Sequence, residues 1–232
     1  MKNNTENLKR ICLEEIFNQR TIIYDRCVMP GQITIVNGKK IYLRPITYID
    51  LPISSIRYLN AVSEYIFSLQ GSLRYEALCG VATQGVPYVF AVSEKYNIPA
   101  IYLRKKKQLY GTNSFISGKL LDKSKVLIVD NLVYSGGTMN FSIEKLLEAN
   151  YNVAGICTVV KFETSFNHLN KEYDLKYLVT VKEIYDYLIK KNYFPKQIVN
   201  YVQLFIQDQT LFHSGSKLYL EYLYELDKLR SL

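Results

Sequence analysis

Apolar and polar positions change period along the chain, and these changes predict its elements. From residue 77 onward, short and almost wholly apolar runs, such as ALCGVA (77–82) and VLIV (126–129), alternate with segments whose apolar residues follow helical spacing. Such runs are typical of parallel strands buried on both faces. The alternation predicts an α/β fold with a central, mostly parallel sheet flanked by helices.

The individual elements follow from the same pattern. QITIVNG and KKIYLRP lie on either side of Asn37-Gly38 and predict a hairpin within residues 27–45, a small β hood. Ser54 is the expected N-cap of the helix that follows. The predicted strands are 77–82, 100–104, 126–129, 153–160 and 175–180, and the predicted helices are 5–20, 54–69, 86–97, 139–149, 181–192, 195–207 and 216–230.

Composition narrows the class of protein. With 232 residues, 48% hydrophobic and 22% charged, the chain suits a folded domain with appendages. No apolar run approaches a membrane span, and the N-terminal segment lacks the apolar core of a signal peptide, so we expect a soluble, cytoplasmic protein. The four cysteines and two histidines show no metal-ligand spacing, which favours buried thiols over a metal site.

The net charge of +8 favours an anionic partner, either nucleic acid or a polyphosphate. Its densest cluster is RKKK at 104–107, directly after a predicted strand. Loops after parallel strands meet at one edge of the sheet, where ligands bind. The loop 83–85, the basic segment from Arg104 and the loop 130–138 should therefore converge.

The segment VLIVDNLVYSGGT (126–138) indicates the chemistry at that edge. Glycines before a helix let backbone N–H groups surround an anion, and the helix N-terminus adds partial positive charge. Asp130 follows the apolar run and should end the strand, facing the same crevice. A carboxylate beside a phosphate can accept hydrogen bonds from sugar hydroxyls, so the pair is typical of a ribose 5-phosphate site.

This segment resembles the phosphoribosyl-pyrophosphate (PRPP) motif of type I phosphoribosyltransferases. The stretch from CGVATQGVPY to ISGKL (79–120) is similar to that of orotate phosphoribosyltransferases, and the resemblance covers about residues 5–190. It implies a phosphoribosyltransferase domain at 1–192, with the N-terminal helix and hood hairpin within 1–45, and a C-terminal helical extension at 193–232. The implied reaction transfers 5-phosphoribosyl from PRPP to orotate, with release of pyrophosphate, in pyrimidine nucleotide biosynthesis.

The resemblance also implies roles for single residues. The 5-phosphate would lie in the loop after Asp130, and Asp130 and Asn131 would hold the ribose hydroxyls. Magnesium would be carried by PRPP near Asp130, with no direct protein ligand. The implied phosphate cradle is Tyr134, Ser135, Gly136, Gly137 and Thr138, and the implied pyrophosphate loop is Ala82, Thr83, Gln84 and Gly85.

The basic segment has a further implied role. Arg104 and Lys105 would clamp pyrophosphate across a homodimer interface, and the loop from Lys106 to Ser114 would close over the site. The family pattern R-K-x-x-K places its loop lysine on Gln108 here, with Lys107 beside it as the substitute. Tyr110 matches the tyrosine variant of the family's next position.

Three further positions depart from the family. Asn131 stands where a second acid is usual; its amide can accept a hydrogen bond but carries no charge. The hairpin holds Val36-Asn37-Gly38 in place of a basic residue before Ser-Gly, which leaves Lys39 or Lys40 for the base pocket. After strand 153–160 the family's arginine is missing, and Lys161 is the nearby cation.

These departures keep two alternatives open. One is a phosphoribosyltransferase with a base other than orotate, and the other is a non-catalytic homologue that binds PRPP or nucleic acid as a regulator. A polyanionic substrate already accounts for the charge, and no aromatic-basic RNA motif occurs, so the sequence favours the enzyme.

Overall fold

The computed structural model describes residues 2–24, 32–36, 39–43, 46–107, 114–163, 169–213 and 215–231; at residues 2–3, 32–36, 39–41 and 43 it describes the backbone alone. The chain divides into two compact units: residues 1–15 with 53–180, and residues 16–52 with 181–232. Among the described residues, no helix has the length and apolar character needed to cross a membrane.

Strands and helices alternate along most of the described chain. The strands are β1 (Ile22–Ile23), β2 (Gln32–Val36), β3 (Lys39–Leu43), β4 (Tyr48–Ile49), β5 (Ala77–Val81), β6 (Ala100–Leu103), β7 (Ile116–Ser117), β8 (Lys125–Val133), β9 (Asn152–Lys161) and β10 (Leu175–Thr180). The helices are α1 (Lys2–Asn18), α2 (Ile56–Ser68), α3 (Gln70–Leu73), α4 (Val86–Tyr96), α5 (Gly137–Glu148), α6 (Val181–Lys190), α7 (Lys196–Gln207) and α8 (Lys217–Arg230), with a 3₁₀ turn at Gln209–Leu211.

The first unit contains a six-stranded sheet in the order β10-β9-β8-β5-β6-β7. Its strands are parallel except for β7, which pairs antiparallel with β6 at one edge. All five residues of β5 are buried, as both faces of a central strand must be when helices cover them. The predicted α/β fold with a mostly parallel sheet is confirmed.

Strand β8 is longer than predicted. The apolar run stops at Val129, but the strand continues to Val133, so Asp130 does not end it. The reason lies in its neighbours: β5 pairs with β8 only as far as Val129, whereas β9 keeps pairing through Val133. Asp130 therefore lies just beyond the last residue of β8 that pairs with β5. Its backbone remains paired with β9, while its side chain lies at the carboxyl edge of the sheet.

Helices α4 and α5 connect the strands that form the site edge. Helix α4 packs against β5, β6 and β8, and α5 packs against β8 and β9. Helix α2 packs on α4, where the hydroxyls of Tyr58 and Tyr88 lie 3.2 Å apart in the core. The N-cap of α2 is Ser55, not the predicted Ser54: its hydroxyl accepts a hydrogen bond from the backbone N–H of Tyr58.

The second unit contains two small antiparallel pairs and the helices α6–α8. The predicted hairpin is confirmed as β2 and β3, whose turn residues 37–38 lie outside the described residues. Strands β1 and β4 pair with each other, and we call this pair the neck because it joins the two ends of the segment that carries the hairpin. The Tyr193 hydroxyl donates a 2.8 Å hydrogen bond to the Ile22 carbonyl in the neck.

Helix α8 contacts both ends of the segment between β1 and β4, the two strands of the neck. The hydroxyl of Tyr222 lies 3.0 Å from the carbonyl oxygen of Tyr24 and 2.7 Å from that of Ile46. Tyr222 is 2% exposed, and its ring packs against Phe212 and Tyr201. The C-terminal helix is therefore built into this unit by a buried polar contact as well as by aromatic packing. The predicted domain boundary at 192/193 stays a prediction.

Candidate active site

Three loops meet at the carboxyl edge of the sheet. Because β5, β6 and β8 are parallel neighbours, the segments that follow them leave the sheet on the same side. The loop after β5 stays close to both neighbours: the N–H of Ala82 donates to the carbonyl of Leu103 at 2.8 Å. The predicted convergence of residues 83–85, 104–107 and 130–138 follows from this topology.

Gly85 allows the first loop to pack against β8. A Cβ atom at this position would lie 2.3 Å from the carbonyl oxygen of Val129 and 2.6 Å from the backbone nitrogen of Val81. Both neighbours are backbone atoms of buried strands, so neither can move aside. A glycine is thus required for the loop to reach the end of β8, and α4 begins at the next residue.

Asp130 is a buried acid at this edge, 8% exposed. Burial raises its pKa from 3.8 to about 7 because desolvation disfavours the charged carboxylate. The backbone N–H of Asn131, 2.8 Å from Oδ1, and the positive charge of Lys105 lower the pKa by smaller amounts. Lys105 therefore acts on the Asp130 of its own chain.

The neighbour of Asp130 across the sheet is Thr158 on β9. Thr158 is fully buried, and its hydroxyl has no hydrogen-bond partner in the described part of the chain. Residues paired across neighbouring strands point to the same face, so the side chain of Thr158 is on the same face of the sheet as that of Asp130. The sequence analysis did not identify Thr158, because an isolated threonine within an apolar strand carries no signal of its own.

The loop after β8 leaves open space beside Gly137 at the start of α5, and we call this space the phosphate concavity. Gly136 adopts a left-handed conformation, with φ of +82°, and a Cβ there would lie 2.8 Å from the backbone nitrogen of Leu169. Gly137 differs: the nearest atom to its Cβ position is the Ser135 hydroxyl at 4.0 Å. Gly137 and Thr138 are exposed, so the N–H groups at the helix N-terminus face open space. This geometry suits an anion.

Asn131 and Gln84 connect two of the converging loops. The side-chain amide Nδ2 of Asn131 donates a hydrogen bond to Oε1 of Gln84. Both side chains are half-buried at the mouth of the site. The sequence analysis placed Gln84 in the pyrophosphate loop, and its side-chain contact with Asn131 is a new element of the site.

Arg104 is held by side chains of the sheet edge. Its Nη2 donates to the hydroxyls of Tyr102 at 3.1 Å and Ser117 at 3.0 Å, and the guanidinium lies 5.1 Å from the centre of the Tyr102 ring. Its Nη1 is buried and has no partner within the described ranges. Tyr102 and Ser117, absent from the sequence-based site, therefore fix the orientation of this cation.

The structure gives fewer contacts for the remaining predicted site residues. The ammonium of Lys161 lies 4.8 Å from the centre of the Tyr177 ring, and the ring of Tyr134 packs on that of Phe162 at 5.0 Å. Lys106 and Lys107 are exposed after β6. The side chains of Lys39 and Lys40, and the predicted loop positions 108–113, lie outside the described residues.

Comparisons with known proteins agree with this geometry. The profile of the family described as "Phosphoribosyl transferase domain" matches residues 58–197. An orotate phosphoribosyltransferase from Pyrococcus horikoshii is 28% identical over 178 residues, which cover 74% of this chain and 92% of that protein.

Two other similarities have different extents. An orotate phosphoribosyltransferase from Cytophaga hutchinsonii is 30% identical over 87 residues, and the match spans 38% of this chain and only 42% of that relative's length. The crystal structure of orotate phosphoribosyltransferase from Aeropyrum pernix superposes with a TM-score of 0.59 at 20% identity, covering 79% of this chain and 99% of that one. At this identity the structural likeness concerns the fold.

Proposed function

Since the chain belongs to the phosphoribosyl transferase domain family, we propose that it transfers the 5-phosphoribosyl group of PRPP to a ring nitrogen of a nucleobase and releases pyrophosphate. The observation that carries this proposal is the pairing of the open glycine concavity at the start of α5 with buried Asp130 on the preceding strand. The concavity suits the 5-phosphate, and the acid suits the hydroxyls of the same sugar.

In the proposed reaction the bond between C1 of the ribose and the pyrophosphate oxygen breaks, and a bond from C1 to the base nitrogen forms. The bonding pair leaves with pyrophosphate, and the base nitrogen supplies the new pair. The transition state resembles an oxocarbenium ion, as in glycoside hydrolysis. Groups that stabilise the departing charge therefore contribute most. Lys105 and the backbone N–H groups at 83–85 would serve this purpose.

Magnesium is the metal that the family implies. No cluster of three or more His, Cys, Asp or Glu side chains that could hold a metal occurs among the residues that the structure describes. We propose that the ion is carried mainly by the oxygens of PRPP, with Asp130 as the nearby acid. When bound, magnesium would neutralise charge on the departing pyrophosphate.

We propose orotate as the base, in pyrimidine nucleotide biosynthesis in the cytoplasm, because the relatives named above are orotate phosphoribosyltransferases. Lys161 is the proposed contact for its carboxylate. The position of Lys161 over the Tyr177 ring supports a second candidate, a base without a carboxylate, since that ammonium already has an aromatic partner.

We also propose a homodimer in which the segment from Arg104 to Ser114 serves the second subunit. Arg104 is held against the sheet edge by Tyr102 and Ser117, with Nη1 left to contact a pyrophosphate. The closeness of Lys105 to Asp130 supports a role for Lys105 in the site of its own chain.

Isothermal titration with PRPP and magnesium tests the binding site, and a base panel then tests the reaction. Orotate consumption well above that of uracil, adenine and hypoxanthine is the expected result. Turnover with another base would replace orotate by the second candidate. PRPP binding without turnover of any base would leave a PRPP-binding homologue, and absence of PRPP binding would refute the proposed function altogether.

A further inference from the structure

The contact between Gln84 and Asn131 bears on the donors and acceptors at the ribose end of the site. A carboxamide has a donor end and an acceptor end, whereas an acid at the same position only accepts. The Nδ2 group of Asn131 donates to Gln84 Oε1, and its backbone N–H donates to Asp130. No described residue donates to Oδ1 of Asn131. In this arrangement Oδ1 is the end of the Asn131 amide that remains for a ligand.

From this geometry we infer that Gln84 is a positioning residue, which holds the Asn131 amide so that its oxygen accepts a hydrogen bond from a ribose hydroxyl. This inference rests on the proposed function. Gln84 thereby makes Asn131 equivalent to an acid as a hydrogen-bond acceptor, without adding a second negative charge beside Asp130. Gln84 lies on the loop after β5 and Asn131 on β8, so the contact also fixes the loop relative to the strand.

The chemistry predicts how the two positions depend on each other. Gln84→Glu keeps an acceptor for the Asn131 amide. Asn131→Asp is tolerated beside Gln84, because the glutamine amide can turn and present its Nε2 donor. The double variant places two carboxylates against each other, and like charges at this distance repel. Among these acid substitutions, only the double variant should lose the contact between the two positions.

Binding of ribose 5-phosphate is the measurement, since it involves neither a base nor group transfer. Gln84→Met should raise the Kd about tenfold, equivalent to about 1.4 kcal/mol for a lost oriented acceptor. The effect of Gln84→Glu combined with Asn131→Asp should exceed the product of the two single effects at least tenfold. Gln203→Met, at an exposed position of α7, is the matched control.

Inorganic phosphate is the second probe, because it occupies the phosphate concavity but carries no hydroxyls of a sugar. The Gln84 variants should bind it as wild type does and should unfold at the same temperature. If Gln84→Met weakens phosphate and ribose 5-phosphate equally, or if the double variant shows no excess loss, Gln84 is merely structural and the inference is wrong. If wild type binds no ribose 5-phosphate, the proposed function itself fails; if it binds but no base turns over, only the transfer reaction fails.

Discussion

Replacing Asp130 by asparagine should stabilise the ligand-free protein while weakening its binding of ribose 5-phosphate. The acid is buried, and its pKa is raised from 3.8 to about 7. By linkage, this shift corresponds to about 4 kcal/mol of lost folding free energy once the carboxyl is ionised in both states. The wild-type fold carries this penalty above pH 7, and an uncharged amide does not.

The pH dependence isolates this effect from other consequences of the substitution. Between about pH 4 and pH 7 the unfolded chain has released the proton of Asp130 while the folded chain keeps it, so wild-type stability falls as the pH rises. The penalty should be about 2 kcal/mol at pH 5.5 and about 4 kcal/mol at pH 8.5. The burial of the new amide is a constant, so the advantage of Asp130→Asn should grow by about 2 kcal/mol between these pH values.

Urea unfolding followed by circular dichroism at pH 5.5 and 8.5 measures the difference. Thr158→Val is the matched control, because it changes polarity beside Asp130 without removing a titrating group. Its effect on the free energy of unfolding should differ little between the two pH values. A stability difference between Asp130→Asn and wild type that is the same at both pH values would refute a raised pKa for this acid.

Three further substitutions test the glycine loop and the neck. Gly137→Ala should leave the melting temperature near wild type, since its Cβ would meet nothing closer than 4.0 Å, but should raise the Kd for PRPP at least about tenfold by filling the concavity. Gly136→Ala should lower the free energy of unfolding by about 2 kcal/mol or more, from its φ of +82° and the clash with Leu169; equal melting temperatures for the two alanine variants would contradict this. Tyr222→Phe should lower the free energy of unfolding by about 1–2 kcal/mol in urea, because the carbonyls of Tyr24 and Ile46 lose the hydroxyl that they share. Tyr224→Phe, whose ring is 62% exposed, should not; an equal effect would mean that the Tyr222 hydroxyl contributes nothing.

The fold was predictable where hydrophobic pattern decides structure. Strand β5 and the buried parts of β8 and β9 are mostly apolar runs, which are typical of parallel strands covered on both faces. The hydrophobic pattern did not predict the parts of strands that form because a neighbouring strand pairs with them. The extension of β8 through Asn131 depends on β9, and the short edge strand β7 depends on β6, so neither has a signal in its own residues.

The candidate site was predictable to a similar extent. Glycines before a helix and an acid after an apolar run have few other uses together, so the sugar-phosphate end could be inferred from residues 130–138. Contacts between side chains that are distant in sequence could not. Gln84 is polar and lies in a polar loop, and only the fold places it against Asn131, 47 residues away.

The neck affects the order in which the two units can fold during synthesis. Residues 16–52 belong to the same unit as residues 181–232, while the unit between them is built from the intervening chain. Tyr222 is synthesised 198 residues after Tyr24 and 176 residues after Ile46. The carbonyls of Tyr24 and Ile46 therefore lack this donor until Tyr222 has emerged. The sheet unit can form on the ribosome once residue 180 has emerged, whereas the hairpin unit can be completed only after Tyr222 has emerged. The second unit is thus a late-forming part of the chain, and a ribosome that stalls after residue 180 would display a folded sheet with its hairpin segment still unsecured.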